Sequence, residues 1–159
     1  MTEYLAANHD WITALTSVLS ASFFAFSIIV AYSQIRRAVH LQKKATAAQL
    51  WDTYLGRALQ YPEFAYPKNF MEQFDFENRK FAGCRREFER YEWFVSTLLR
   101  ATDEILDEPD IEKHRSATAL QNVRYHKAYL KWQYTQDRAD YLKIVSPKLV
   151  SEIEKMIKE

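Results

Sequence analysis

The sequence has few of the residues that a β-rich or disulfide-bonded protein needs. It contains two glycines and four prolines among 159 residues, and therefore few of the turns that connect strands. Its long stretches without turn residues, with apolar side chains at helical spacing, predict an all-α fold. The single cysteine, Cys84, excludes an internal disulfide and is typical of a reducing compartment.

Basic side chains are absent from the first 32 residues. This segment contains two acids, Glu3 and Asp10, whereas residues 33–159 contain all 22 Lys and Arg residues. The chain total of +1 therefore combines −2 before residue 33 with +3 after it. A balanced total of this kind does not indicate a nucleic-acid-binding protein.

An uncharged stretch ends at this boundary. Residues 11–32 read WITALTSVLSASFFAFSIIVAY, and as a helix they would measure about 33 Å, which is enough to cross a hydrocarbon core of about 30 Å. Trp11 and Tyr32 lie at its ends, where aromatic rings favour the headgroup level. We predict a transmembrane helix at 11–32 after a short extracytoplasmic segment at 1–10. The alternatives are a buried helix and a signal peptide, but a signal peptide needs a basic start.

Basic residues follow the span and none precedes it. The positive-inside rule therefore predicts an external N-terminus and a cytosolic C-terminal part. We expect this basic group to meet anionic membrane lipid, at about 1 kcal/mol per charge near the surface. A polyanionic ligand is the alternative partner. The group consists of Arg36, Arg37, Lys43 and Lys44.

Small residues recur every four positions along one face of the span. They are Thr13, Ser17, Ala21 and Ala25. Because small side chains let helix backbones approach closely in a bilayer, the pattern predicts a homo-oligomer formed through the membrane helix. The alternative is that small residues are simply common in such helices.

The helix is predicted to continue through residues 33–60, as a basic juxtamembrane segment that ends before Pro62. An apolar stripe at helical spacing supports this prediction. Its members are Ile35, Ala38, Leu41, Ala45, Ala48, Leu55, Ala58 and Leu59.

Residues 61–159 are predicted to form a small cytosolic helical bundle. The aromatic stretch 61–83 suggests an irregular connection with one or two helical turns, whose rings pack onto the helices or, alternatively, line a ligand pocket. Apolar periodicity predicts helices at 85–106 and 110–136, and Ser146-Pro147 is a typical start of a last helix. Because no window alternates with period two, we expect no sheet.

No residue pattern points to catalysis or to a metal. His114 and His126 are twelve positions apart on one predicted helix, too far to share an ion. The sequence has no glycine-rich phosphate loop and no nucleophile elbow. We therefore expect a non-enzymatic protein without a metal or a cofactor.

One segment interleaves cations with aromatic rings, RYHKAYLKW at 124–132. Cations beside stacking rings suit an anionic ligand such as a nucleotide, and positions 124, 127 and 131 share one side of a continuous helix. The alternative is a solvated basic face with aromatic core contacts. The candidate ligand-binding residues are Arg124, Tyr125, Lys127, Lys131 and Trp132.

Four segments together resemble a known kind of protein: YSQIRRAVHLQKKATAAQLWDTYL, YPEFAYP, YEWFVSTLLRATDEIL and RYHKAYLKW. This layout is similar to small bacterial membrane-anchored helical proteins of unknown function. It is more loosely similar to membrane-anchored accessory effectors of bacterial antiviral systems, which sense a cyclic oligonucleotide. The first resemblance implies a bacterial inner-membrane protein with no established activity. The looser one implies a role in antiviral defence, and neither transfers a binding residue.

Three functions follow from these observations. The first is a non-enzymatic sensor or effector that oligomerises in the membrane and responds to a ligand or partner. The second is an adaptor that tethers an unknown cytosolic protein to the membrane. The third is an enzyme with an unrecognised site.

Overall fold

The computed structural model describes residues 2–107, 113–135 and 145–159, with side chains from Trp11 onward and without that of Lys113. The described residues are almost all helical, which confirms the all-α prediction. The chain divides into two compact units, Met1–Gln42 and Lys43–Glu159. This division falls inside the predicted juxtamembrane segment 33–60.

Helix α1 runs from Thr2 to Gln60. In the first unit, its large apolar side chains are exposed on all sides, Phe23 by 74% and Ile29 by 66%. Among the described residues, one helix is long and apolar enough to cross a membrane. The candidate stretch is Trp11–Gln60, and its apolar window has a mean hydropathy of 2.0 with none of it buried.

In the second unit, the face of α1 that is buried in the core differs from the apolar stripe seen in the sequence. Ala47 and Tyr54 are buried, whereas Leu55 and Leu59 are 43% and 85% exposed. The continuous helix predicted through residues 33–60 is confirmed, but the apolar stripe that supported it differs from the buried face at these leucines. The stripe followed the aliphatic residues, but the core against which α1 packs is aromatic, with the rings of Tyr54 and Phe94 5.5 Å apart.

The connection after α1 contains four short elements: α2 (Pro62–Ala65), a 3-10 helix (Pro67–Gln73), β1 (Phe74–Asp75) and β2 (Lys80–Phe81). The strands pair antiparallel, so the expectation of no sheet is wrong for this hairpin. Asp75 supports the turn by accepting hydrogen bonds from the backbone N–H and the side-chain amide of Asn78. Such a carboxylate-closed turn needs neither glycine nor an alternating sequence.

Helix α3 (Arg85–Asp107) lies at the centre of the core, and the predicted helix 85–106 is confirmed. Its whole predicted stripe is buried, from Phe88 to Leu106. The connection packs its rings against α3, as predicted, with the Phe74 and Tyr91 centroids 4.6 Å apart. Offset aromatic pairs of this kind contribute about 0.5–1.5 kcal/mol beyond the burial of their area.

The single helix predicted at 110–136 is wrong in its described part. Two helices lie there, α4 (Lys113–Tyr125) and α5 (Lys127–Thr135), and His126 separates them. The His126 N–H donates to the Val123 carbonyl three residues back, at 3.0 Å, which tightens the turn. Residues 110–112 and 136, at the ends of the prediction, lie outside the described residues.

Helix α6 (Pro147–Lys158) begins where the Ser146-Pro147 signal predicted. The Ser146 hydroxyl accepts a hydrogen bond from the Leu149 N–H, which satisfies one of the free donors of the first turn. The Ser146 N–H donates to both carboxylate oxygens of Asp103 at 3.0 Å, which joins the start of α6 to α3.

Candidate functional site

The predicted ligand residues at 124–132 are divided between two helices. Arg124 and Tyr125 end α4, whereas Lys127, Lys131 and Trp132 belong to α5. The geometric argument for three cations on one side of a continuous helix is therefore lost. Lys131 is exposed and Lys127 is half-buried.

Several of these side chains already have partners within the protein. Arg124 forms an ion pair with Glu159 at 3.0 Å, between two half-exposed side chains. The Trp132 indole stacks on Phe76 at 5.7 Å with an interplanar angle of 26°, and Tyr125 lies 5.5 Å from Tyr66. The aromatic members therefore contact other rings of the domain, as the alternative interpretation expected. Ligand binding at these five residues stays a prediction.

A buried polar pair lies at the break between α4 and α5. The Tyr91 hydroxyl and His126 Nδ1 are 3.0 Å apart, and each side chain is 1% exposed. Burial lowers the pKa of His126 from 6.5 to about 3 and raises the pKa of Tyr91, so both groups are neutral at pH 7. His126 Nε2 is buried and has no hydrogen-bond partner among the described residues.

A second set of polar side-chain contacts connects α5 to α3 and to the hairpin. Gln133 Nε2 donates to the Tyr129 hydroxyl at 2.7 Å and lies 3.5 Å from Glu92 Oε1. Glu92 in turn pairs with Arg79, which lies in the hairpin turn. These contacts connect three elements at the edge of the core, whereas Gln133 Oε1 and Arg79 Nε are buried without a hydrogen-bond partner among the described residues.

A cavity of about 780 Å³ lies within the second unit, between α1, α3 and α4. We call it the lateral cavity. It was not predicted from the sequence. Charged side chains lie around it, and small residues of α1 leave the space open. The residues that line it include Lys44, Trp51, Asp52, Ile105, His114 and Arg115, and the small residues Ala45 and Ala48.

The walls of the lateral cavity are held in place by core contacts. Ala47, Ile105 and Ala119 form a small buried cluster, and Trp51 packs against it. The Tyr54 hydroxyl lies 3.0 Å from Asn122 Oδ1 and joins α1 to α4 beside this cluster. These core contacts therefore fix the positions of the residues that line the cavity.

The charges around the lateral cavity favour an anion. Lys44 and Arg115 are cations, His114 offers ring N–H groups, and Asp52 is the one carboxylate of the described lining. His114 and Arg115 both belong to α4 and line the cavity from that side. The sequence signal that could have found this site is the pairing of small residues with Lys44 and Trp51 on α1.

The predicted oligomerisation residues Thr13, Ser17, Ala21 and Ala25 are all exposed on α1. The Ser17 hydroxyl donates to the Thr13 carbonyl at 2.8 Å, so its proton is satisfied within the helix. Such back-bonding lets a hydroxyl lie in an apolar environment and leaves its lone pairs available to a neighbouring helix. Self-association through this face stays a prediction.

The predicted membrane-surface residues have different surroundings. The Arg36 guanidinium lies 4.9 Å from the centroid of the Tyr32 ring, a cation–π contact. Lys43 pairs with Asp107 at 3.3 Å, and Lys44 lines the lateral cavity. Arg37 is exposed.

Within the described ranges 2–107, 113–135 and 145–159, no three His, Cys, Asp or Glu side chains are grouped as a metal site requires. Cys84 is exposed and free. Comparison with known proteins gives no further assignment, since neither a family model, nor a curated protein, nor a solved structure matches the chain.

Proposed function

We propose that this protein is a non-enzymatic, single-pass protein of a bacterial inner membrane whose cytosolic helical domain responds to a ligand. The exposed apolar part of α1 is the observation that carries the proposal. An uncharged helix with bulky side chains on all sides needs an apolar solvent, since each fully buried side chain of this size is worth about 1.5–3 kcal/mol. A bilayer supplies that environment over the length of residues 11–32.

The domain after the span favours binding over catalysis. Its buried polar groups, such as Tyr91 and His126, contact each other inside the core, where burial keeps His126 neutral. The lateral cavity, by contrast, has charged groups at its lining and packed walls. A small-molecule site of this kind supports a sensor or effector role.

The adaptor function is the second candidate, and one surface residue favours it. Trp93 on α3 is 72% exposed. Exposed tryptophan is common where proteins bind each other, because its large ring gives much contact area at little entropic cost. Trp93→Ala would lower capture of a cytosolic partner if the protein is an adaptor, and would leave ligand responses unchanged if it is a sensor.

Alkaline carbonate extraction tests membrane anchoring. The wild-type chain should stay in the membrane pellet, and a Phe24→Lys, Ile28→Lys variant should lose this retention, because each lysine at the centre of a span costs about 2.5–3.5 kcal/mol. A Leu55→Lys, Leu59→Lys variant is the matched control and should remain in the pellet, since these leucines lie outside residues 11–32. Extraction of the wild-type chain into the supernatant would refute the anchoring proposal.

A further inference from the structure

We infer that the lateral cavity binds a small anion that carries a flat ring, the class to which mononucleotides belong. This inference names the ligand class of the proposed sensor and rests on its ligand-responsive role. The volume of about 780 Å³ falls within the range of about 300–1,000 Å³ typical of small-molecule sites. A cavity of this size suits a small molecule rather than a nucleic-acid strand.

The cations select the anionic part of the ligand. The Arg115 guanidinium presents a fork of N–H donors that matches a phosphate or carboxylate in two parallel hydrogen bonds. Lys44 adds a second positive charge on the α1 side. Two cations at one cavity therefore favour an anionic group there.

Trp51 selects the flat ring. It lines the cavity, is half-buried, and packs against Tyr54 at 5.1 Å, so its indole is held by the core. The neighbouring Ala48 has no bulky side chain, which leaves room for a planar group to approach the indole. Stacking on such an aromatic ring favours a planar base whatever its identity, because every base has a π face.

Asp52 supplies the remaining specificity. A carboxylate is an acceptor only, so beside two cations it favours a ligand that also carries hydroxyl or amino donors. A sugar hydroxyl or an exocyclic amine meets this requirement, and a simple inorganic anion does not. The lining therefore combines a contact for charge, a contact for a ring and an acceptor for a donor group.

Binding is tested on the full chain in nanodiscs of a zwitterionic lipid, by isothermal titration calorimetry and by tryptophan fluorescence. The probes are AMP, adenosine and glycerol 3-phosphate, which carry the charge and the ring, the ring alone, and the phosphate ester of a lipid headgroup alone. We expect AMP to bind at least ten times more tightly than either fragment and to quench tryptophan emission. Raising the salt concentration should weaken AMP binding, because the contact includes paired charges.

Variants locate the site. Arg115→Ala should weaken AMP binding about 10-fold or more, the equivalent of about 1.4 kcal/mol or more. Arg115→Lys should restore part of it, because the charge returns without the fork. Trp51→Phe should reduce the quench while the chain remains folded by circular dichroism. Arg124→Ala with Lys131→Ala removes two cations of the competing site at 124–132, and it should leave AMP affinity unchanged if the lateral cavity binds AMP.

Three results would overturn the inference. They are no saturable binding of AMP at millimolar concentration, equal binding of glycerol 3-phosphate, or loss of binding in the Arg124, Lys131 control while Arg115→Ala binds normally. Failure of the anchoring proposal is separate, since it would appear as carbonate extraction of a chain that still binds AMP in detergent.

Discussion

At the scale of single residues, the main feature is a histidine held neutral in an aromatic core. His126 is buried among Tyr91 and Phe94, whose ring centroids lie 5.6 and 5.8 Å from its own. Removal from water disfavours the imidazolium and lowers the pKa of His126 to about 3. The Tyr91 hydroxyl satisfies Nδ1 and leaves Nε2 without a partner among the described residues.

The burial of His126 predicts that stability depends on pH. Below the unfolded pKa of 6.5 the unfolded chain binds a proton that the folded chain excludes, so the free energy of unfolding falls as the pH is lowered. The stabilisation is complete above 6.5 and is lost progressively toward the folded pKa of about 3. We expect a loss of about 1 kcal/mol between pH 6.5 and 5.5, measured by urea unfolding in mild detergent and followed by near-UV circular dichroism.

A pair of substitutions isolates this effect. His126→Gln keeps a polar group near Tyr91 and removes the titration, so the variant should show a flatter pH dependence even though it is less stable. His114→Gln removes an exposed histidine and should keep the wild-type slope. An unchanged slope in His126→Gln would show that other groups control the pH dependence.

At the scale of elements, the helix proposed to span the membrane gives a prediction about the face formed by its small residues, Thr13, Ser17, Ala21 and Ala25. Ala21→Leu with Ala25→Leu should thicken that face and reduce the oligomers seen by crosslinking in membranes, because the helices could no longer approach closely. Phe23→Leu lies on the opposite side and should change little. Equal effects of the two changes would mean that the small residues do not form the contact.

The elements that could be predicted from the sequence are those with a strong local pattern of residues. Helix α3 was predictable because an apolar stripe from Phe88 to Leu106 recurs at helical spacing over about five turns, and this stripe is buried. Helix α6 was predictable from a capping serine followed by proline. The break at His126 was not, because the apolar period continues across it from Val123 to Leu130, and both are buried.

The hairpin could not be predicted from the sequence for a different reason. Its strands are two residues long, so they are too short to alternate visibly. Arg79 and Ala82 adopt positive φ angles of 53° and 48°, positions where glycine or asparagine would have been the usual signal. Contacts with distant residues support these conformations: Phe74 packs against Phe81 and Tyr91, Arg79 pairs with Glu92, and the Ala82 N–H donates to the Gln73 carbonyl. No local pattern records such a contact.

At the scale of the whole molecule, the candidate site depends on packing between distant segments. The lateral cavity joins residues 44–52 of α1 to Ile105 and to residues 114–118 of α4. Sequence reasoning placed the basic residues near the membrane and the aromatic stretches in the core, and it assigned Lys44 to lipid, with a polyanionic ligand as the alternative. The ligand interpretation instead followed the cations of residues 124–132, which are adjacent in sequence. These residues are adjacent in sequence, but they do not line the lateral cavity.

The orientation of the chain in the membrane gives the last prediction. With Arg36 and Arg37 just after the span and no basic residue before it, the C-terminal side should face the cytoplasm. A green fluorescent protein fused after Glu159 should therefore fluoresce, and alkaline phosphatase at the same place should be inactive, because it needs the periplasm to form its disulfides.

Charge exchange tests the cause of this orientation. Arg36→Ala with Arg37→Ala, combined with Thr2→Lys and Ala6→Lys, leaves two lysines after the span, Lys43 and Lys44, and places two before it, so it removes the charge bias and should move a fraction of the C-terminal reporter to the periplasm. Leu15→Ile with Leu19→Ile changes the span without changing charge and should keep the wild-type orientation. Active alkaline phosphatase after Glu159 of the wild-type chain would place the helical domain outside the cytoplasm, and a ligand from the cytosol would then no longer reach the lateral cavity.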